Sequence, residues 1–192
     1  MSNKQQTTNN KQQTTNKNNM YSIKQMPSDA RVWVYQSNKA LSDIQVSEIE
    51  RAGQYFITGW TAHGASLKAS FDVIYNRFIV IAVDENQASA GGCSIDASTR
   101  FIKEIEKQFN LDLFDRMQTA YRSGNEIKSC NLNKLLEELT LAGIYSDDKS
   151  KDASGDVIVF NNMVNTKKAF DSEWEVKLKN SWHSRILPVP QK

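Results

Sequence analysis

The longest uninterrupted apolar run in this sequence is FIVIAV, Phe78 to Val83, closed by Arg77 on one side and Asp84 on the other. A strand sends successive side chains to opposite faces, so such a run is apolar on both. It reads as a central strand with neighbours on each side and cover above and below. It is far shorter than the roughly 18 residues that a membrane span requires. Any fold for this chain has to be built around that strand.

The flanking segments change period in an orderly way. RVWVYQ (Arg31–Gln36) is β-branched and aromatic, hence strand-like. Ser42 and Gln45 have the spacing of a capping box, opening a helix to about Trp60. Ile49, Ala52, Phe56, Ile57 and Trp60 recur on it at helical spacing, and Gly64 is the expected stop. ASFDVIY (Ala69–Tyr75) alternates, and Asn76 allows a tight turn into the central strand. A second helix carries Phe101, Ile102, Ile105 and Phe109 on one side. DRMQTAYR, Ser123-Gly124-Asn125 and EIKSC form a hairpin, and Asn133–Leu141 is a short helix stopped at Gly143. DVIVFNNMV and EWEVKL are further strands.

This order predicts an α+β domain with a ferredoxin-like βαββαβ core, an extra strand and a C-terminal extension. Its sheet is antiparallel and its two helices cover one face. Residues 30–187 form the single domain, with a polar loop at 146–156 and a short tail at 188–192. Residues 1–29 read as a disordered, low-complexity tail. NKQQTTN stands there twice, at Asn3–Asn9 and Asn10–Asn16, and too little of it is apolar to offset the entropy of ordering. The tandem copy looks like a duplication of coding sequence, which makes Met20 a candidate start.

Charge narrows the function classes. The formal net charge of +2 includes Lys4, Lys11 and Lys17 of the repeat. Without them the balance is 21 basic against 22 acidic residues, no footprint for nucleic acid. Two cysteines, Cys93 and Cys130, are too few for a disulfide framework and show no zinc spacing. With no secretory signal pattern either, the expectation is a reduced, cytoplasmic protein without cofactor.

At RVWVYQSNKALSD, FITGWTAHGASLKA, YNRFIVIAVDENQASAGGCSIDAS, LDLFDRM and SWHSRIL the chain resembles a family of small proteins from Bacteroidota-type bacteria. The resemblance covers roughly residues 27–187. Members often carry the label "ABC transporter ATPase", but the family brings no catalytic residues. An ABC ATPase needs GxxxxGK[ST], in which backbone N–H groups and a lysine hold the phosphates. None of the eight glycines here is followed by lysine, so a transporter motor is not expected.

Function is then sought at GGCSIDAS, after the central strand. If Ser94 or Asp96 caps the second helix, Cys93 lies at its N-terminus, where orphan N–H groups and the dipole favour a thiolate or a bound anion. Gly91, Gly92, Cys93, Ser94 and Asp96 are the candidate ligand- or anion-binding residues. The structural alternative makes the glycines a turn and packs Cys93 beneath the sheet, slow to react. Cysteine catalysis would need His63 or His183 as base, the two histidines of the chain. His63 is expected in the last turn of the first helix, and His183 beside Trp182 near the chain end. Asp84 and Glu85 are weak metal candidates, since acids at a strand end also return the chain to water. The preferred function is a non-catalytic binder of a small ligand or a protein partner. The rivals are a Cys93 enzyme and a structural subunit of an assembly.

Overall fold

The computed structural model describes residues 21–145 and 157–186. The chain order is β1 (Arg31–Gln36), α1 (Asp43–Thr58), β2 (Thr61–Ala62), β3 (Ala65–Ser66), β4 (Lys68–Ile74), β5 (Phe78–Asp84) and α2 (Gly92–Phe109). It continues with β6 (Gln118–Ser123), β7 (Glu126–Asn131), α3 (Leu135–Leu141), β8 (Ile158–Phe160), α4 (Lys167–Glu173) and β9 (Glu175–Lys177). Short 3-10 turns lie at Ile23–Gln25, Leu132–Lys134, Leu178–Asn180 and Trp182–Ile186.

The apolar run is indeed the middle strand. β5 pairs antiparallel with β1 and with β4, and all seven of its residues are buried. Its faces go to different cores. Ile79, Ile81 and Val83 join Phe71, Ile49 and Ile102 under α1 and α2. Phe78, Val80 and Ala82 join Ala120, Phe160, Phe170 and Trp174 on the other side. That cover comes from a second, four-stranded sheet in the order β7-β6-β8-β9, with α4 beside it. Behind this sheet Tyr121, Leu135, Leu139, Val159 and Leu178 form a third core with α3.

The α+β class and the antiparallel pairing therefore hold. The fourth strand of the expected ferredoxin-like sheet is where the topology departs. After α2 that strand would lie beside β1, but β6 pairs with β7 and β8 in the second sheet. The physical reason is the central strand itself. Helices on one face alone would leave Phe78 and Val80 in water, at a cost of about 1.5–3 kcal/mol for each large side chain.

α1 begins as its sequence suggests: Ser42 Oγ accepts from Gln45 N at 3.3 Å and Gln45 returns a bond to Ser42 N at 3.0 Å. It ends earlier than expected, with Gly59 as C-cap. Gly64 instead closes a hairpin between β2 and β3, where it and His63 both take left-handed backbone, φ 83 and 51. Two consecutive positive φ values are the signature of the tight hairpin turn.

The assigned tail boundary at residue 29 also moves. Ile23 and Met26 are buried in the second core, Tyr21 bridges Ser70, and Ile23 N donates to Asp72 Oδ2 at 2.8 Å. A short apolar pair was enough to anchor this segment. The NKQQTTN repeats, residues 146–156 and residues 188–192 lie outside the described residues. Among the described residues no helix is long and apolar enough to cross a membrane.

Candidate functional site

α2 starts at Gly92 with Gly91 as N-cap, in extended backbone and with no side-chain cap. Neither Ser94 nor Asp96 caps the helix, as the sequence suggested. Ser94 is buried; its hydroxyl donates to Thr61 O and its carbonyl accepts from Trp60 Nε1, both at 2.9 Å. It stitches α2 to the segment leaving α1. Asp96 is exposed and stands apart from the groove described next. Gly92 is not left-handed, and a Cβ there would meet nothing within 4 Å. The glycine pair therefore makes no left-handed bend that would fold backbone amides around an anion.

The structure offers a groove between α1 and α2 instead, of about 1100 Å³. Phe56, Trp60 and Phe101 furnish its aromatic wall, Ala52 and Ala97 leave it room, and Gly91–Ser94 close one end. Phe56 and Phe101 stack with ring centres 4.4 Å apart and planes 4° from parallel, tying the two helices together. The small residues at the closed end leave the first-turn N–H groups of α2 without a side-chain competitor.

Cys93 is exposed on this groove, which corrects the expectation of a packed thiol. As a residue of the first turn it stays outside the core that Ser94, Ser98, Ile102 and Ile105 enter. His63 lines the same groove from the hairpin tip rather than from the last turn of α1. Its Nε2 lies 3.6 Å from where a Gly91 Cβ would stand, so it reaches across to the start of α2. Among the described residues no hydrogen bond joins His63 to Cys93. His183 is elsewhere, 2% exposed, with Ser181 Oγ 2.7 Å from its Nδ1 and Trp182 stacked at 3.9 Å. Burial pulls its pKa down to about 4, so it is neutral at ordinary pH.

Asp84 and Glu85 are used locally. Lys68 Nζ bonds Asp84 Oδ2 at 2.9 Å, Asn86 N and Nδ2 bond Oδ1, and these partners hold the carboxyl below its usual range. Glu85 Oε1 accepts from Ala90 N at 3.0 Å and faces Arg31 at 3.8 Å. The two acids fasten the loop between β5 and α2. Among the described residues no group of three or more His, Cys, Asp or Glu side chains could hold a metal ion.

A second cleft, of about 850 Å³, follows the outer edge of β1 past Tyr35, Gln36, Phe114, Asn162 and His183. Sequence reasoning missed it because its walls come from segments far apart in the chain. The aromatic groove is half visible in the helical stripe: Trp60 belongs to the first core at 3% exposed, as that spacing implies, whereas Phe56 is only partly buried and faces the groove. No protein-family model, curated protein or solved structure matches the chain.

The two thiols give a direct check on this geometry. Cys130 is half-buried on β7, and burial with the nearby Glu138 pushes its pKa up to about 11. At pH 7 about one Cys130 in ten thousand is then thiolate, the form that reacts. Alkylation at pH 7 read by peptide mass is expected to modify Cys93 at least about tenfold faster than Cys130. Equal rates would mean that Cys93 is covered.

Proposed function

We propose that this chain is a non-catalytic binding protein whose ligand seat is the α1/α2 groove. The ligand class is a small aromatic or aliphatic molecule with an acidic end. The groove carries this reading. Its size is comparable with small-molecule sites, and its lining joins an aromatic wall to a few polar groups at one end. The apolar body of the ligand lies against Phe56, Trp60 and Phe101. Its acidic end meets the uncapped start of α2, where N–H groups and the helix dipole favour negative charge. His63 is the side-chain donor within the same end.

A Cys93 enzyme is less well supported. Its base would have to be His63, which makes no hydrogen bond to Cys93 among the described residues, or His183, which lines the other cleft. The groove explains the surroundings of Gly91–Ser94 without chemistry at the thiol.

Anilinonaphthalene sulfonate, an apolar body with an acidic end, is a suitable first probe. The native chain is expected to bind it with a saturable rise in fluorescence. Ala97→Trp, which fills the groove from α2, should weaken that binding about tenfold or more while leaving the circular dichroism of the fold unchanged. Undiminished binding by a folded Ala97→Trp chain would remove the groove from consideration.

A further inference from the structure

We propose that the outer edge of β1 binds an extended segment of a partner polypeptide, which joins the first sheet as an additional strand. Antiparallel pairing points the backbone groups of alternate residues to alternate sides. Ser37 N donates to Arg77 O at 2.8 Å on the β5 side, whereas Val32 N donates to Asn165 O at 3.0 Å on the other. Val32, Val34 and Gln36 therefore turn their backbone groups away from β5. Asn165 and Thr166 already occupy the start of this edge, Thr166 as an antiparallel bridge partner of Arg31. Beyond them the N–H and C=O of Val34 have no partner among the described residues. Free edge groups of this kind are a template for another strand.

The cleft continues along the same line. Ile95, Thr99 and Phe114 wall it on the α2 side, and Phe160 and Asn162 on the side of the second sheet. Two side chains that line it carry buried polar atoms without a partner among the described residues. Gln36 is 6% exposed; its Oε1 accepts from Asn162 Nδ2 at 2.8 Å, and its Nε2 has no partner among the described residues. The indole Nε1 of Trp182, on the same cleft, is buried and likewise has no partner among the described residues. A backbone donor and acceptor on the floor, flanked by side-chain groups on the walls, suits a polypeptide strand. The edge from Trp33 to Gln36 takes about four residues at ~3.4 Å each.

The occupant is a single extended chain rather than a second copy of this protein. The edge lies recessed between walls, and an identically recessed edge could not reach it. Its side chains alternate: apolar ones meet Tyr35 and Phe114, whose rings pack edge to face at 5.5 Å, and hydrogen-bonding ones meet Gln36 and Asn162.

A display library of random peptides about twelve residues long, panned on the full chain, tests this. The expected result is enrichment of alternating apolar and polar sequences. A synthesised member should slow hydrogen exchange at the Val34 amide. N-methylation of every second peptide residue in one register should abolish binding, and in the other register should leave it. Val34→Pro removes the outward N–H without touching the β5 ladder and should weaken binding about tenfold. Should that variant not fold, the N-methyl series decides from the peptide side. No enrichment would overturn the proposal. So would peptides that protect the α1/α2 groove instead of Val34, or a Val34 amide that is protected in the free chain by concentration-dependent self-association.

Discussion

Gly53→Ala is expected to destabilise this protein by about 1–3 kcal/mol, although alanine is the better helix former by roughly 1 kcal/mol. Gly53 lies in the middle of α1, where the helix crosses β4. A Cβ there would stand 2.1 Å from one ring carbon of Phe71 and 2.3 Å from two more. The ring cannot easily yield. Phe71 is 1% exposed, Phe101 packs edge-on against it at 5.9 Å, and Gln54 Nε2 holds its carbonyl at 2.8 Å. The helix would have to lift off the sheet, loosening the wall of the α1/α2 groove with it. Chemical denaturation of Gly53→Ala measures the loss, and Phe71→Leu in the same chain should recover part of it, because the two sites share one contact. A stabilised Gly53→Ala chain would show that α1 stands further from β4 than described.

The second large effect is a pH dependence set by His183. In the unfolded chain its imidazole has a pKa near 6.5; buried beside Ser181 and under Trp182 it falls to about 4. Above about pH 6.5 both states are neutral at this position and it contributes nothing to the pH dependence. As pH falls from 6.5 to 4 the unfolded chain takes up a proton that the folded chain does not, so stability drops. The loss levels off below about pH 4, with a full size of about 3 kcal/mol. Asp84, held low by Lys68, acts in the same direction as pH falls through the ordinary carboxylate range, at the low end of this window and below it, whereas Asp72, held high by burial, acts the opposite way there. Denaturation at several pH values should therefore slope between 6.5 and 4, and His183→Asn should flatten that slope. An imidazole resonance titrating near 6.5 in the folded chain would contradict the buried placement.

What the sequence revealed about the fold followed from local rules. The capping box of Ser42 and Gln45, the turn at Asn76 and the Gly124 hairpin depend on neighbours only a few residues apart, and each lies where local chemistry puts it. The two-faced run of β5 was also legible, and it demanded cover on both faces. Assigning β6 to the same sheet left one face without any. The pairing of β6 with β8, across a long connection, is set by packing that no local pattern encodes. α4 was missed for a related reason: its seven residues carry one buried aromatic, Phe170, and Thr166 is its main start signal. At the site, GGCSIDAS rightly marked the start of α2, but the capping residue was misjudged. Ser94 and Asp96 are both good caps by type; Ser94 is drawn inward by Trp60 and Thr61, which the sequence does not bring near it. His63 looked like a helix-terminal residue because Gly64 reads as the stop, whereas Gly59, directly after Thr58, is the glycine that ends α1.

Disulfide exchange at Cys93 tests the ligand groove most directly, since the thiol is exposed at the closed end beside the aromatic wall. The full chain is equilibrated under excess reductant with two disulfides of equal length, one carrying an aryl group with a carboxylate and one an uncharged polar group. Mass spectrometry then reads the adduct on Cys93. A ligand seat predicts capture of the aryl fragment about tenfold above the polar one, with the preference lost in Ala97→Trp. Equal capture of the two fragments, or an aryl preference that survives Ala97→Trp, would contradict a ligand seat between α1 and α2.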